Sequence, residues 1–287
     1  MDNSSKRELT IEEENANLEA IKNLAKTKRK SNQNYIKLLI KGLSDTNGLV
    51  RRHYSEKLAE AGTAALPELV NALLNSKNVI QRRAAAKTLK LVEDPIALPH
   101  LVKALTNDSD PVVQCSAAGA IAIFGEAAVN HLIIVLESPE HTEMQYGLAA
   151  WSLAFIGANA PNAIKKAAQS KNTNVKSAAI SALEDHIRQS EDQAAIKLVE
   201  SAINDSAENV QIEAIKLVGK LYKIESFIPI LISKLKDKNP DIRKASILSL
   251  IQLNIQEGLN QIKELYEVEQ DEKIKKLIAL AIKKIKE

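Results

Sequence analysis

The scarce, chemically distinctive side chains of this 287-residue chain are five histidines, one cysteine and one tryptophan, and their spacing narrows what they can do. His53, His100, His131, His141 and His186 never stand four residues apart, so no helix offers a two-histidine metal clip, and none of them is followed by glutamate. The lone Cys115 excludes an internal disulfide and a multi-cysteine metal site. There is no Gly-x-Ser-x-Gly turn and no glycine loop of the phosphate-binding kind. No catalytic group can be named from these patterns, and no metal is expected. The remaining candidates are suited to binding. Tyr146, Trp151 and Phe155 fall close together in a chain that is only 3% aromatic. Arg82 and Arg83 form a basic pair suited to carboxylates. His100 and His131 add polar groups, and Cys115 adds a thiol.

The elements that must position these residues are set by a repeat. An apolar or amide residue, a polar or basic pair, a small pair and a second apolar residue recur with starts at 50, 81, 113, 145, 175, 210, 242 and 274, a spacing of 30 to 35 residues. Within each unit, apolar or small residues at offsets 0, +4, +8 and +11 mark one face of a helix. Gly62, Gly125 and Gly157 fall at offset +12, where a helix end favours a left-handed residue. A second amphipathic segment follows, as in Ala97–Leu105 and Phe227–Ile232, and Asp110-Pro111 and Asn239-Pro240 open the next first helix. Two antiparallel helices per repeat, stacked on copies of themselves, predict an all-α fold: a right-handed α-solenoid of about eight helical hairpins over residues 35–287. Residues 1–34 read as a polar N-terminal segment and a capping helix, with Thr10 as N-cap of a helix from Ile11 to about Lys26.

The same repeat explains the composition. Hydrophobic residues are 45% of the chain and charged residues 26%, enough to build a core, and close stacking at one spacing favours Ala and Leu over rings. A net charge of +3 with a single tryptophan argues against nucleic acid as a partner. The longest nearly apolar run, Leu148–Ala158, falls short of the ~18 residues that span a bilayer, and the N-terminus shows no apolar signal core. The expected setting is cytoplasmic and reducing, with no membrane span.

The repeat register also weighs the binding candidates. Trp151 stands at offset +6, where the other units carry Glu56, Lys87, Gly119, Ser181, Lys216, Leu248 and Leu280. It is either a binding residue on a normally polar slot or a ring folded over Gly119 of the preceding unit. Phe155 lies one turn on and Met144 two turns before. Tyr146 holds offset +1, elsewhere occupied by Arg51, Arg82, Gln114, Lys176, Gln211, Arg243 and Lys275. The arginines are read either as a ladder bonding the inter-repeat turns or as anion-binding groups. His100 and His131 sit in second helices, where they either line a groove or are ordinary surface residues.

The segments "VRRHYSEKLAEAGTAALPELVNALL", "QRRAAAKTLKLVEDPIALPHLVKAL" and "VVQCSAAGAIAIFGEAAVNHLIIVL" resemble HEAT-like repeats of the phycobilin lyase type. The length and "MQYGLAAWSLAFIGA" are most similar to the E/F-type bilin lyases of cyanobacteria, in the phycoerythrobilin-attaching branch, with relatives among phycobilisome-degradation proteins. The resemblance implies a protein that binds an open-chain tetrapyrrole as substrate and a phycobiliprotein α or β subunit as partner, and promotes thioether attachment to a cysteine. It implies no permanently bound cofactor, and a second lyase subunit as a further candidate partner. It places the protein in the cyanobacterial cytosol near phycobilisomes. The isomerising branch is associated with a His-Cys pair; here Gln114 precedes Cys115, so isomerase activity is not expected. Under this reading the bilin or partner is bound by Tyr146, Trp151, Phe155, His131, His100, Arg82, Arg83 and Cys115, the last either through a transient adduct or as an inert small residue. The alternative is a non-catalytic HEAT-repeat scaffold in phycobilisome assembly or degradation, or in iron–sulfur delivery.

Overall fold

The computed structural model describes residues 32–221 and 225–285, and these are helical with short connections and no strand. The expected N-terminal helix from Thr10 lies outside the described residues. Contacts divide the chain into two units, the first running to Val135 and including 140–152, the second comprising 136–139 and residues from Leu153 on.

In the first unit, α1 (Gln33–Gly42), α3 (Leu66–Asn75) and α5 (Leu98–Asn107) form one layer, and α2 (Gly48–Ala61), α4 (Val79–Val92) and α6 (Pro111–Ile121) the other. The next hairpin is α7 (Glu126–Glu137) and α8 (Glu143–Ile156). The second unit continues with α9 (Pro161–Ala167), α10 (Thr173–Ala182), α11 (Glu184–Ser190), α12 (Gln193–Ile203), α13 (Glu208–Lys220), α14 (Ile228–Lys234), α15 (Pro240–Gln252), α16 (Leu259–Val268) and α17 (Glu272–Lys284). The eight repeat starts all fall inside first helices: α2, α4, α6, α8, α10, α13, α15 and α17. The single 35-residue spacing is where α11 is inserted between α10 and its partner α12. Within each unit first helices pack on first helices, in the first unit second helices pack on second, and the HEAT-like stack of hairpins is the fold.

The local chemistry is regular. Asn47, Asn78, Asp110, Asn172, Asn239 and Asp271 cap the first helices, each side chain accepting from backbone N–H groups of the first turn. Leu58, Leu89, Ile121, Leu153, Leu183, Val218, Leu250 and Ile282 share offset +8, and the first seven are fully or almost fully buried. At offset +7 a buried hydroxyl bonds the preceding first helix. Ser152 Oγ donates to Ala118 O at 3.0 Å, Ser249 Oγ to Ile215 O at 2.8 Å, and Thr88 Oγ1 to Ser55 Oγ at 2.9 Å.

The arginine ladder is real and has a fixed step. The offset +1 donor reaches the carbonyl six residues earlier: Arg51 to Asp45 O, Arg82 to Ser76 O, Gln114 to Asp108 O, Gln211 to Asp205 O and Arg243 to Asp237 O. Arg82 then forks onto both Asp108 oxygens at 2.8 and 3.0 Å, and Arg243 onto both Glu269 oxygens at 2.8 Å. The aspartates ahead of the first helices serve through backbone carbonyls, and the carboxylate partners come from the following turn.

The three offset +12 glycines divide by role. Gly62 (φ 60°, ψ −138°) and Gly125 (φ 56°, ψ −133°) occupy a region only glycine enters readily. Gly157 departs from the expectation, because its φ is not positive. It is glycine because a Cβ would stand 1.9 Å from Ala182 O.

Two stability predictions follow from this geometry. The Arg82–Asp108 pair is almost buried, with side chains 11% and 7% exposed, so Arg82→Ala strands a carboxylate and lowers unfolding free energy by about 3 kcal/mol in a urea titration. A loss within error of zero would place the ladder outside the stability of the first unit. Hydrogen bonds from Lys165 and then His186 hold Asp192 well below the usual carboxylate range, Lys176 does so for Asp205, and Arg243 for Glu269. Their stabilisation is complete above the unfolded carboxylate value of about 4 and is lost as pH falls through the folded values. Thermal midpoints are expected to hold from neutrality to about pH 4 and drop below it, and Glu269→Gln is expected to flatten that drop.

Candidate functional site

Helix α8 is apolar on two faces. Its inward face is filled by Ala149, Leu153 and Ile156, all fully buried, with Gln145 bonding the Thr106 carbonyl two repeats back and Ser152 the Ala118 carbonyl of the preceding repeat. Its outward face carries Met144, Gly147, Trp151 and Phe155. Trp151 is 51% exposed and Phe155 58%, which is unusual for two large apolar rings of one helix.

Offset +6 is a solvent column. Glu56, Lys87, Lys216, Leu248 and Leu280 are exposed there, and Gly119 and Ser181 are half-buried. Both readings of Trp151 hold at once. A Cβ at Gly119 would lie 3.8 Å from the far edge of the indole, so the ring leans over α6 while half of it faces water. The ring rests in the space that Gly119 leaves open. Gly147, one turn before Trp151, has nothing within 4 Å of where its Cβ would be.

The neighbouring first helices complete this face. Cys115 is exposed one turn before Gly119 on α6. On α4, Arg83 and Lys87 are exposed one turn apart. The Lys87 ammonium is pushed below its ordinary value, first by partial burial and then by the Arg83 and Arg51 guanidiniums, while the Cys115 thiol pulls the other way. Lys87, Arg83 and Cys115 are therefore electrostatic neighbours. In the first unit the surface runs from a basic edge on α4, across a glycine-floored step with one thiol on α6, to an indole on α8. Such a surface suits a flat, apolar molecule with anionic substituents.

The other expected residues are placed apart from this face. The Arg82 guanidinium is committed to Asp108 and Ser76. His100 on α5 and His131 on α7 are half-buried and belong to the layer of second helices. Tyr146 takes the ladder's offset +1 slot and sets its ring edge-on to His141, with centroids 6.4 Å apart. Sequence reading did not single out Lys87 or Gly147. The signal was in the register, where Lys87 shares the column of Trp151 and Gly147 the column of Arg83 and Cys115.

One cluster mimics a catalytic triad without its geometry. His186 Nε2 meets Asp192 Oδ2 at 3.0 Å, but Ser190 Oγ lies 3.4 and 3.5 Å from the two ring nitrogens and donates to His186 O at 2.7 Å. Asp192 also accepts from Ala194 and Ala195 N–H and from Lys165. The group ties the C-terminus of α11 to the N-cap of α12. Among the described residues, no three His, Cys, Asp or Glu side chains gather as a metal site, and no helix is long and apolar enough to cross a membrane.

The model of the HEAT repeats family matches residues 36–122, 66–153 and 196–283. Over 246 residues, 86% of this chain and 83% of the other, the sequence is 35% identical to the bilin biosynthesis protein MpeU of Synechococcus sp. (strain WH8020). Among solved structures, YibA of Escherichia coli aligns over 98% of this chain and 99% of its own at 19% identity and a TM-score of 0.43. The complex of CpcE and CpcF of phycocyanin lyase from Nostoc sp. PCC7120 aligns over 87% and 94% at 17% identity and a TM-score of 0.35. The chain belongs to the HEAT-repeat proteins and, within them, to the family of the bilin biosynthesis protein MpeU.

Because Trp151 is the sole tryptophan, intrinsic fluorescence reports this site alone. Emission is expected to be readily quenched by iodide and unchanged in Gly119→Ala, whose new Cβ makes only ordinary contact with the ring. Gly119→Leu is expected to displace the indole and shift the emission. Protection of the wild-type indole from iodide would contradict an open face.

Proposed function

We propose that the chain is a bilin lyase: it binds an open-chain tetrapyrrole and a phycobiliprotein subunit, and promotes thioether attachment of the bilin to a cysteine of that subunit. The observation that carries the reading is the 35% identity to a bilin biosynthesis protein along 86% of the chain. The exposed indole of α8 and the exposed Arg83 and Lys87 of α4 support it independently.

In this reading the chemistry needs little from the lyase beyond position. The acceptor thiolate adds to the ethylidene carbon of the bilin. A carbon–sulfur bond forms, the exocyclic π bond opens into the conjugated system, and the tetrapyrrole takes up a proton from water. Trp151 and Phe155 pack on the flat face of the bilin. Arg83 and Lys87 pair with its propionates, and Gly147, with open space where a Cβ would stand, lets the macromolecular acceptor approach. Holding thiolate and alkylidene in one geometry supplies the rate, and occluding the second face suppresses wrong addition. The bilin is a substrate with no resident cofactor beside it. The phycobiliprotein docks along the exposed helices, a second lyase chain is a further partner, and the setting is the cyanobacterial cytosol near phycobilisomes.

The test is co-expression with a bilin source and phycobiliprotein α and β subunits, scoring zinc-enhanced fluorescence of covalent adduct on the subunit. Chain-dependent adduct is expected, reduced at least about tenfold in Trp151→Ala. Adduct formation independent of the chain with every subunit sinks the lyase reading and leaves a scaffold. Undiminished adduct in Trp151→Ala moves the site elsewhere.

A further inference from the structure

The second unit has a groove of about 800 Å³ on the exposed side of its first helices, lined by residues of α10, α13, α15 and α17 and by Glu184 of α11. Its volume is that of a small-molecule site. The floor is apolar: Leu217 and Ala245 are almost fully buried, Ile251 is half-buried, and Leu248 stands 44% exposed in the middle. Leu248 holds the offset +6 slot, the column that carries Trp151 in the first unit.

The charges around this floor are unequal. Lys216 bonds Glu213 at 2.6 Å and Lys220 bonds Glu184 at 2.8 Å, so two lysines and two glutamates cancel. Lys284 on α17 is exposed and has no acidic partner among the described residues. One lysine is thus left over beside an apolar floor. Ser181, Gln252 and Asn254 supply neutral polar groups around the edge. The last turns of α13, α15 and α17 end here and carry partial negative charge, which the paired lysines offset. A ligand with two anionic groups would meet only one free cation, whereas a single carboxylate on an apolar body matches the groove in both respects.

We infer that this groove binds an amphipathic carboxylate, one anionic head at Lys284 and an apolar body over Leu248, Ala245 and Ile251. The site is separate from the Trp151 face and does not depend on the lyase reading. The chemistry has two natural sources, an acyl chain and one propionate arm of a tetrapyrrole. The charge count favours the acyl chain.

Binding of palmitate and of biliverdin to the full chain is measured by isothermal titration, with Leu248→Glu, Lys284→Gln and Trp151→Ala as variants. Both groove positions are exposed, so circular dichroism and the thermal midpoint are expected to match wild type. Palmitate is expected to bind one per chain, about tenfold more weakly in each groove variant and unchanged in Trp151→Ala. Biliverdin lost in the groove variants in place of palmitate also supports the site and names the tetrapyrrole as its source. Neither probe binding, or both binding the groove variants as they bind wild type, overturns the inference. Biliverdin binding abolished only by Trp151→Ala overturns it as a tetrapyrrole site while leaving the lyase reading intact. Palmitate binding without any chain-dependent adduct in cells does the reverse.

Discussion

The fold depends on how closely one first helix approaches the next. At Gly157 the backbone of Ala182 comes so near that a methyl group could not fit between them. At Ser152 and Ser249 the gap is spanned by one hydroxyl bonded to the carbonyl of the helix before. Offset +4 is alanine in α4, α6, α8, α10 and α13 and serine in α15, small residues that let neighbouring first helices come close. The alanine richness and the aromatic scarcity are one constraint seen twice. Large side chains are left the solvent face of a first helix, and the two exposed rings of α8 occupy that face.

The close approach fixes distance, and the ladder at offset +1 fixes registration. The step of six residues recurs because the donor sits one turn into the first helix, while its target carbonyl ends the preceding second helix or opens the turn. Arg51, Arg82, Gln114, Gln211 and Arg243 each close their own turn, Arg82 and Arg243 also take a carboxylate from the next one, and Lys176 takes the carboxylate of Asp205. The Arg82 and Arg243 pairs both end up shielded from water. A charged pair shielded that far is costly to break and contributes little beyond a neutral substitute, so its value lies in aligning two turns. That commitment also decides the site: Arg82 is consumed by structure, whereas Arg83, one residue on, points to solvent with Lys87.

Much of this was legible because the repeat supplies its own control. Eight copies of one helix show what each offset ordinarily holds, so the period, the helix pairs, the caps at Asn and Asp and the unusual position of Trp151 could be read without coordinates. The 35-residue spacing flagged an irregular unit, though only the structure shows that it is an added helix, α11. Gly157 was misread because pattern cannot distinguish a glycine needed for its φ from one needed for its missing Cβ; two neighbours at the same offset are of the first kind. The split between Arg82 and Arg83 was equally hidden, since adjacent arginines look alike until one is seen to face Asp108. His100 and His131 were read correctly as second-helix residues, and that layer is not the one that carries the aromatic residues.

Column comparison carries one further step. Offset +6 holds a charge or a small residue in most units and a bulky apolar residue in three: Trp151, Leu248 and Leu280. An exposed apolar side chain at a slot that tolerates lysine does nothing for the core, because the inward offsets are already filled. At Trp151 one edge of the ring leans over Gly119 while half of it faces water, and that open half is the part the proposed bilin site uses. The indole lies over Gly119 of α6, with Arg83 and Lys87 exposed on α4 beyond it, and Leu248 lines one groove with Lys284 in the second unit. In the two proposed sites that apolar area is used together with a cation, so the repeat that places small residues inward would also present, at one offset, a surface for an amphipathic anion.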